Sequence, residues 1–287
     1  MVTRERKSAK MRKELKFVKM HGLGNDYVYI DCFPATAAAI IASTDLSALA
    51  RAVSDRHFGI GSDGLVLILP CKEAEASMRI FNADGSEAEM CGNAIRCVGK
   101  YLYESGLCTQ PKMRIKTIAG IRKLCLHVQN GLVHEVTADM GTPKTATDSL
   151  ALKGRDLLGF TSVNIGNPHA VFFRSWVISD AEMADLGERI GTHPHFPKGT
   201  NVEFAHVRNA RELDVRVWER GSGETMACGT GACAAAVAAY RMGETGEEII
   251  VHLKGGELLI HYDPLENRIT MTGPATEVFQ GTYSWEE

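Results

Sequence analysis

Residues 84–106 read DGSEAEMCGNAIRCVGKYLYESG, and residues 220–243 read RGSGETMACGTGACAAAVAAYRMG. Each segment places a cysteine and a glycine, Cys91-Gly92 and Cys228-Gly229, directly before a run with a helical pattern. In both segments the cysteine lies 15 positions before the glycine that closes the run. We interpret them as copies of one motif, in which a helix begins just after the cysteine and ends at a glycine.

The duplication extends beyond these two segments. Matched pairs share nearly one offset, which is 137 positions for Cys91 with Cys228 and for Asn82 with Glu219, and 142 positions for Asn25 with Asn167. An offset near half of the 287 residues predicts two sequential copies of one domain, because a solenoid repeat has a far shorter period. Chance similarity of glycine-rich loops is the alternative, and three pairs with nearly the same offset argue against it.

Length and composition limit the classes of protein that fit. The 287 residues, 45% of them hydrophobic, suit two domains that each bury a core. A net charge of −3 argues against a nucleic-acid partner, and no apolar run approaches the roughly 18 residues of a membrane span. Residues 1–16 are basic and lack the apolar core of a secretory signal. Eight cysteines without regular spacing indicate reduced thiols, so we expect a cytoplasmic protein without membrane or nucleic-acid partners.

Most of the chain consists of short strand-like runs bounded by glycine, proline or asparagine, and only residues 46–56, 94–104 and 232–242 have helical patterns. Because crossover helices between the strands are scarce, the sheets should be mixed or antiparallel. Residues 232–242 are almost uniformly apolar, which predicts a buried helix. We therefore predict an α+β fold of two pseudo-symmetric domains, each a mixed or antiparallel β-barrel-like sheet around a central helix.

The duplication also predicts where the two halves begin and end. We expect a flexible N-terminal extension over residues 1–14, an N-terminal half over residues 15–133 and a C-terminal half over residues 134–273. The C-terminal strand, residues 274–287, is expected to join the N-terminal half.

A cysteine at the start of a helix faces backbone N–H groups that have no partner within the helix, together with a partial positive charge. Two such helix starts at one pocket would bind a carboxylate, and a glycine after each cysteine lets the ligand approach the backbone. The same field is expected to lower the pKa of both thiols.

Two thiols in one pocket disfavour double ionisation, so we expect the pair to hold one proton between them. A thiolate and a thiol on opposite faces of a carbon form a base and an acid that can invert that centre. The helix starts would stabilise the charge that grows on a neighbouring carboxylate. This scheme needs neither a metal ion nor a cofactor, and we predict neither.

Three alternative interpretations of these features are weaker. A single buried cysteine is usually inert packing, but here two cysteines repeat in matched settings. Cys91 with Cys97, and Cys228 with Cys233, fall on different helix faces and do not match the ligand spacing of structural zinc. Residues 59–64, GIGSDG, fit the dinucleotide fingerprint, but a helix-like run precedes them and a strand follows, the reverse of the required order.

Polar side chains in glycine-bounded loops could complete such a pocket. Asn25, Asn82, Asn167 and Asn201 each offer a donor and an acceptor, although a loop asparagine is more often a turn former. Glu219 and Arg220 precede the second Cys-Gly pair, and the arginine could bind a second carboxylate in bidentate fashion. His169 flanks one of these loops, and a histidine there could tune a neighbouring thiol.

Five segments of the chain resemble the diaminopimelate epimerase family in the order of that family. They are HGLGNDY (21–27), FNADGSEAEMCGNAIRC (81–97), GNPHAVF (166–172), GTNVEF (199–204) and ERGSGETMACGTGAC (219–233). The resemblance implies interconversion of LL- and meso-diaminopimelate, without pyridoxal phosphate, in lysine and cell-wall synthesis. It also implies two similar domains, each a β-barrel-like sheet around a helix.

The resemblance assigns expected roles to individual residues. It implies that Cys91 and Cys228 are the acid/base pair. Substrate contacts are implied for the side chains of Asn25, Asn82, Asn167, Asn201, Glu219 and Arg220, and for the backbone of Gly92, Asn93, Gly229 and Thr230. His169 and Glu219 are expected to tune the thiols. One departure concerns Gly64, where many members carry glutamine, so any substrate contact from that side chain is absent here.

Two other functions remain open at this point. A proline-type racemase has a similar fold and also uses two cysteines, but a histidine commonly follows its first Cys-Gly pair, where this chain has Asn93. A non-catalytic amino-acid-binding protein of the same fold would have no need for both cysteines. We expect a homodimer whose small-molecule partner is diaminopimelate.

Overall fold

The structure, a computed structural model, describes residues 12–154 and 157–286. In the first part of the chain it has eight strands and three helices: β1 (Arg12–Gly22), β2 (Asn25–Asp31), α1 (Ala35–Ala42), α2 (Leu46–Ser54), β3 (Gly64–Leu69), β4 (Ala76–Asn82), β5 (Glu87–Ala88), α3 (Gly92–Glu104), β6 (Lys112–Thr117), β7 (Gly120–Gln129) and β8 (Leu132–Gly141). The remaining described elements are β9 (Lys144–Leu150), β10 (Leu158–Asn164), β11 (Pro168–Arg174), α4 (Asp180–Gly191), β12 (Asn201–Asn209), β13 (Glu212–Glu219), β14 (Gly223–Glu224), α5 (Gly229–Arg241), β15 (Glu248–Leu253), β16 (Gly256–Asp263), β17 (Arg268–Pro274) and β18 (Thr276–Glu286).

Two series of strands repeat the same pairing pattern. In the first, β2 pairs parallel with β3, β3 antiparallel with β4, β4 parallel with β6, and β6, β7 and β8 follow as antiparallel neighbours. In the second, β11, β12, β13, β15, β16 and β17 show the same succession of parallel and antiparallel pairs. The α+β fold with two copies of one mixed-sheet architecture is therefore confirmed.

The two series are joined through β8 and β17. These strands pair antiparallel, with Ala138 opposite Met271, so the sheet is continuous from one copy to the other. The last strand, β18, pairs with β1 along nearly its whole length, from Arg12 opposite Glu286 to His21 opposite Thr276. The predicted division at residues 133 and 134 stays a prediction. Of the extension predicted over residues 1–14, residues 1–11 lie outside the described residues, and residues 12–14 belong to β1.

A helix lies at the centre of each copy. Helix α3 packs against β1, β2, β7 and β8, and α5 packs against strands of the second series from β10 to β17. Nearly every residue of α5 from Gly231 to Ala239 is buried, as the apolar sequence predicts. Both helices and the inner faces of both series contribute to one hydrophobic core. This shared core fixes the position of the two helix starts relative to each other.

Two helices were not expected from the sequence. Helix α1 has no side-chain cap at its start, so it carries little local signal beyond a short alanine-rich run. Helix α4 begins at a capping box of Ser179 and Glu182, a signal that the sequence does contain. Within the described residues no single helix is long and apolar enough to span a membrane, and only the sharply bent pair α1 and α2 passes that test when taken together.

Candidate active site

Cys91 and Cys228 are the N-cap residues of the two central helices, as predicted. The Cys91 sulfur accepts a hydrogen bond from the backbone N–H of Ala94 at 3.5 Å, and the Cys228 sulfur accepts one from Gly231 at 3.4 Å. A cap side chain that accepts from the third helical N–H satisfies one of the orphan donors at the helix start. The remaining N–H groups of the first turn therefore stay available around each thiol.

The two helix starts touch. A Cβ atom added to Gly229 would lie 3.6 Å from the Cα of Gly92, and Cβ atoms on Gly92 and Gly229 would lie 2.8 Å and 2.9 Å from atoms of Met271. Met271, which is fully buried on β17, packs against both glycines. Glycine at both positions leaves room for the Met271 side chain against the two helix starts.

The helix starts open into one large cavity of about 1410 Å³. Every side chain and backbone position for which a substrate contact is implied lines it: Asn25, Asn82, Gly92, Asn93, Asn167, Asn201, Glu219, Arg220, Gly229 and Thr230. Both cysteines line it as well. His169, the predicted thiol-tuning residue, is 1% exposed and lies behind the wall of the cavity.

On the side of Cys91, the polar partner is Asn25. The Cys91 thiol donates to the amide oxygen of Asn25 at 3.6 Å. The Asn25 amide nitrogen donates to Asp63 at 2.9 Å, and the backbone N–H of Asp26 donates to the same carboxylate oxygen at 3.0 Å. Asp63 thus fixes which end of the Asn25 amide faces the thiol. Asp63 was not predicted from the sequence to belong to the site.

On the side of Cys228, the partners are a carboxylate and two hydroxyl groups. Thr225 donates to Glu219 at 2.5 Å, and that carboxylate lies near enough to Cys228 to raise the pKa of its thiol. The hydroxyl of Thr230 lies 3.4 Å from the Cys228 sulfur and accepts from the amide of Asn167 at 3.2 Å. The two thiols therefore occupy equivalent helix positions but different polar surroundings.

A buried histidine and a buried glutamate support this second wall. His169 Nδ1 lies 2.6 Å from Glu203 Oε1, and His169 Nε2 lies 3.0 Å from the Asn167 amide oxygen. The imidazole ring thus connects the Glu203 carboxylate to the Asn167 amide and holds both in place. A Cβ on Gly231 would lie 2.8 Å from Glu203, so this glycine allows the first turn of α5 to approach the pair.

The rim of the cavity carries Asn201, Arg220 and Asn82. The amide of Asn201 donates to the carbonyl of Pro168 at 2.9 Å, and its oxygen accepts from the backbone N–H of Arg220 at 2.9 Å. The Arg220 side chain is exposed and donates to the carbonyl of Lys198 at 3.2 Å. No described carboxylate forms an ion pair with it, which leaves its charge available to an anionic ligand. Asn82 donates to the Ser86 hydroxyl at 3.0 Å.

The diaminopimelate epimerase family model matches residues 17–146 and 161–278 of this chain. The chain belongs to the diaminopimelate epimerase family. A diaminopimelate epimerase of Pelotomaculum thermopropionicum is 47% identical, covering 94% of this chain and 99% of the relative. A diaminopimelate epimerase of Moorella thermoacetica is 46% identical, with 94% and 99% covered.

Solved structures share the fold at much lower identity. A hydroxyproline epimerase of Agrobacterium vitis superposes with a TM-score of 0.73 at 15% identity and covers 97% of this chain and 94% of its own. A PhzF-family protein of Bacillus anthracis superposes with a TM-score of 0.71 at 16% identity, with 94% and 99% covered. These neighbours support the fold alone.

The thiol pKa values of this epimerase-family protein differ from the expectation. The helix field was expected to lower both, but burial raises the pKa of Cys91 and raises that of Cys228 well above its ordinary value. The Glu219 carboxylate raises both further, and Glu203 adds to the effect on Cys228. Hydrogen bonds from Ala94 and Gly231 act in the opposite direction but do not prevail. Without a bound ligand, the site therefore favours neutral thiols.

Several residues of the site were not expected from the sequence. Glu203 lies in an apolar strand and is fully buried, and no glycine or cysteine marks it. Tyr27 is buried and lines the same cavity as Cys91. Asp63 lies within the segment 59–64, which the sequence analysis interpreted only as a turn. Among the described residues, no group of three or more His, Cys, Asp or Glu side chains could hold a metal ion.

Proposed function

We propose that this protein interconverts LL- and meso-diaminopimelate without pyridoxal phosphate, with Cys91 and Cys228 as the two acid/base residues. The observation that carries the proposal is the pair of cysteine N-caps on two helix starts that touch at one cavity. The named activity of the relatives, at 45–47% identity over nearly the full chain, supports the same reaction. The reaction belongs to the biosynthesis of lysine and of peptidoglycan precursors.

Binding of the substrate allows one of the two thiols to ionise. The α-carboxylate would accept from backbone N–H groups of Gly92, Asn93, Gly229 and Thr230, where the two helix starts supply partial positive charge. The ammonium group would lie near Glu219 and neutralise the charge that raises both thiol pKa values. One cysteine can then ionise while the other remains a thiol.

Inversion follows from the placement of the two thiols. The thiolate of one cysteine takes the α-proton, and the electron pair moves toward the carboxylate, whose growing charge the helix starts stabilise. The thiol of the other cysteine returns a proton to the opposite face of the α-carbon. The enzyme ends with its proton on the other sulfur, and the reverse reaction uses the two residues in exchanged roles.

The second amino-acid end of diaminopimelate would reach the rim. Arg220 lines the cavity there, and no described carboxylate neutralises its guanidinium. Asn82, Asn167 and Asn201 offer donors and acceptors for the distal carboxylate and ammonium groups. A substrate without a distal charged end, such as proline, would leave this rim unpaired.

An exchange experiment in D₂O tests the proposal. The protein is incubated with LL-diaminopimelate and, in parallel, with L-proline, and deuterium at the α-carbon is followed by NMR or mass spectrometry. We expect exchange and formation of the meso isomer with diaminopimelate, and none with proline. Exchange with proline but not with diaminopimelate would identify a proline-type racemase, and binding without exchange would identify a binding protein.

We further propose that the protein acts as a cytoplasmic homodimer with no nucleic-acid or membrane partner. Light scattering at micromolar concentration should give a mass near twice the 31.3 kDa of one chain. A monomeric mass at the concentration used for activity assays would refute the dimer.

A further inference from the structure

Arg96 carries a positive charge that is fully buried beneath the two helix starts. Its side chain is 0% exposed. The guanidinium donates to the carbonyl of Gly92 at 3.2 Å, to the Asn93 amide oxygen at 2.9 Å and to the carbonyl of Pro274 at 3.1 Å. All of these acceptors are neutral. The hydrogen bonds of Arg96 are therefore satisfied, but its charge is not.

No carboxylate among the described residues forms an ion pair with Arg96, although a buried charge is normally paired. Burial lowers the pKa of the guanidinium, and the groups that oppose this shift are thiols, first Cys97 and then Cys91. An arginine nevertheless remains protonated in a protein. Its compensating anion must therefore come from the site, as a thiolate or a bound carboxylate.

The same side chain controls the contact between the two copies. Asn93 is 2% exposed, and Arg96 fixes its amide so that the nitrogen faces the other way. That nitrogen donates to the carbonyl of Ala227, the residue before Cys228, at 2.9 Å and to Asn25 at 3.3 Å. The Arg96 guanidinium thus orients the Asn93 amide, which connects Asn25, beside Cys91, to Ala227, beside Cys228.

The backbone around Arg96 makes room for it. A Cβ atom on Gly22 would lie 2.8 Å from Nη2 of Arg96. Gly22 has no positive φ angle, so the close approach of the guanidinium rather than the backbone conformation favours glycine there. The end of β1 therefore leaves space for this cation.

We propose that Arg96 is a positioning residue that supplies the fixed counter-charge of the anion site and, through Asn93, holds the two helix starts in register. The inference rests on the proposed acid/base role of the cysteines. Loss of the charge should raise the pKa of the thiols and weaken binding of the substrate carboxylate. Loss of the hydrogen bonds alone should release Asn93 and misplace Cys91 relative to Cys228.

Alkylation of the free enzyme separates charge from geometry. The rate of iodoacetamide labelling of Cys91 and Cys228 is measured by peptide mass spectrometry between pH 7 and pH 11 in Arg96→Met, Arg96→Lys and the unchanged protein. In Arg96→Met we expect the pH at which labelling of Cys91 is half-maximal to rise by about one unit, because a nearby opposite charge has been removed. In Arg96→Lys the midpoint should stay near that of the unchanged protein, while kcat/KM for diaminopimelate falls at least tenfold in both variants.

Arg241→Met is the matched control. Arg241 lies at the C-terminal end of the other central helix, α5, far from the two helix starts, and donates to the Tyr262 hydroxyl at 2.9 Å. This variant should keep both the labelling profile and kcat/KM. A folded Arg96→Met protein with an unchanged profile would overturn the proposal. Should Arg96→Met fail to fold, an upward shift in Arg96→Lys would overturn the charge role, and unchanged kcat/KM in Arg96→Lys would overturn the positioning role.

The labelling experiment needs no substrate. If the unchanged protein does not exchange the α-proton of diaminopimelate, the proposed function fails while the profiles still decide whether Arg96 sets the thiol pKa. If exchange is normal and the profiles do not differ, only the Arg96 proposal fails.

Discussion

The sulfur atoms of Cys91 and Cys228 accept equivalent hydrogen bonds, each from the backbone N–H three residues further along, at 3.5 Å and 3.4 Å. The two residues are thus the same structural position in two copies of one motif. Their neighbours differ, because Cys91 faces the amide of Asn25, whereas Cys228 faces the hydroxyl of Thr230 and the charge of Glu219. Equivalent backbone geometry with different side chains lets one thiol act as base while the other acts as acid.

Loss of either thiol should abolish epimerisation, because inversion needs a proton donor and a proton acceptor on opposite faces. We expect Cys91→Ala and Cys228→Ala each to lower kcat for conversion of LL- to meso-diaminopimelate by at least a thousandfold. Cys32→Ala, which removes a buried cysteine outside the cavity, is the control and should retain activity. Normal turnover by either single variant would contradict the two-base mechanism.

The carboxylate of Glu219 should control when Cys228 ionises. Burial is the largest cause of the raised Cys228 pKa, and the negative charge of Glu219 is the next. Removing that charge in Glu219→Gln should therefore lower the Cys228 pKa, by about one unit for a like charge in contact. The measurement is iodoacetamide labelling of Cys228 against pH without substrate.

Glu212→Gln serves as the control for this experiment. Glu212 begins β13 and pairs with His252 at 2.9 Å, whereas Glu219 ends the same strand. The control should leave the Cys228 profile unchanged. A Glu219→Gln profile identical to that of the unchanged protein would show that burial alone sets this pKa.

The sequence predicted the duplicated motif well because its signals are local. A cysteine cap, a glycine after it and a glycine stop repeat at a constant offset, and the structure has both helices at those positions. The pairing between β8 and β17 and the contact of Gly92 with Gly229 depend on packing between distant parts of the chain. No local pattern encodes them.

The thiol pKa values show where reasoning from the sequence stopped short. The helix starts were predicted correctly, and their field does favour a thiolate. Glu219 was expected to tune the thiols, but the depth of their burial and the approach of Glu203, on β12, to Cys228 come from packing that no local pattern encodes. Desolvation and like charge then outweigh the helix field. The burial of Arg96 was likewise not predicted from the sequence, although the residue lies within the first cysteine motif.

Gly64 is required by packing, because a side chain there would meet neighbouring atoms. A Cβ atom there would lie 2.1 Å from the carbonyl oxygen of Phe81 and 2.9 Å from the ring of Tyr27. We expect Gly64→Ala to lower the free energy of unfolding by about 1–3 kcal/mol, the usual cost of overpacking. Urea unfolding measures the change.

Gly159→Ala is the control for that substitution. Gly159 also lies in a strand, and a Cβ atom there would have no atom within 4 Å. Its free energy of unfolding should change by no more than about 0.5 kcal/mol. Equal stability of the two variants would show that β3 relaxes without cost.

Buried cysteines outside the site should make the fold sensitive to alkali. Burial raises the pKa of Cys97 to about 11 and that of Cys233 to about 12. The unfolded chain, with a thiol pKa near about 8.5, loses these protons first as pH rises, so the folded state binds more protons. Stability is therefore intact below about pH 8.5 and falls by about 1.4 kcal/mol per pH unit for each thiol up to its folded pKa.

Urea unfolding at pH 7.5, 9 and 10 checks this dependence. The double variant Cys97→Ala/Cys233→Ala should start from a lower stability because of lost packing, but it should lose less on going to pH 10. Cys71→Ala, a substitution at a partly exposed cysteine, should keep the slope of the unchanged protein. A double variant with that same slope would assign the alkaline loss to other groups.

Arg220 should determine the preference for a substrate with two amino-acid ends. Its guanidinium lies at the rim of the cavity, its backbone N–H donates to Asn201 at 2.9 Å, and no described carboxylate pairs with it. A hydrogen bond to a charged group contributes about 1.5–3 kcal/mol. Arg220→Met should therefore lower kcat/KM for diaminopimelate at least tenfold, since about 1.4 kcal/mol is a factor of ten. Slow exchange of the α-proton should survive, because both cysteines and their helix starts are intact.

The exposed Arg211, in the turn between β12 and β13, gives the control Arg211→Met, which should keep kcat/KM. Unchanged kcat/KM in Arg220→Met would show that this arginine has a structural role and that the distal end binds elsewhere.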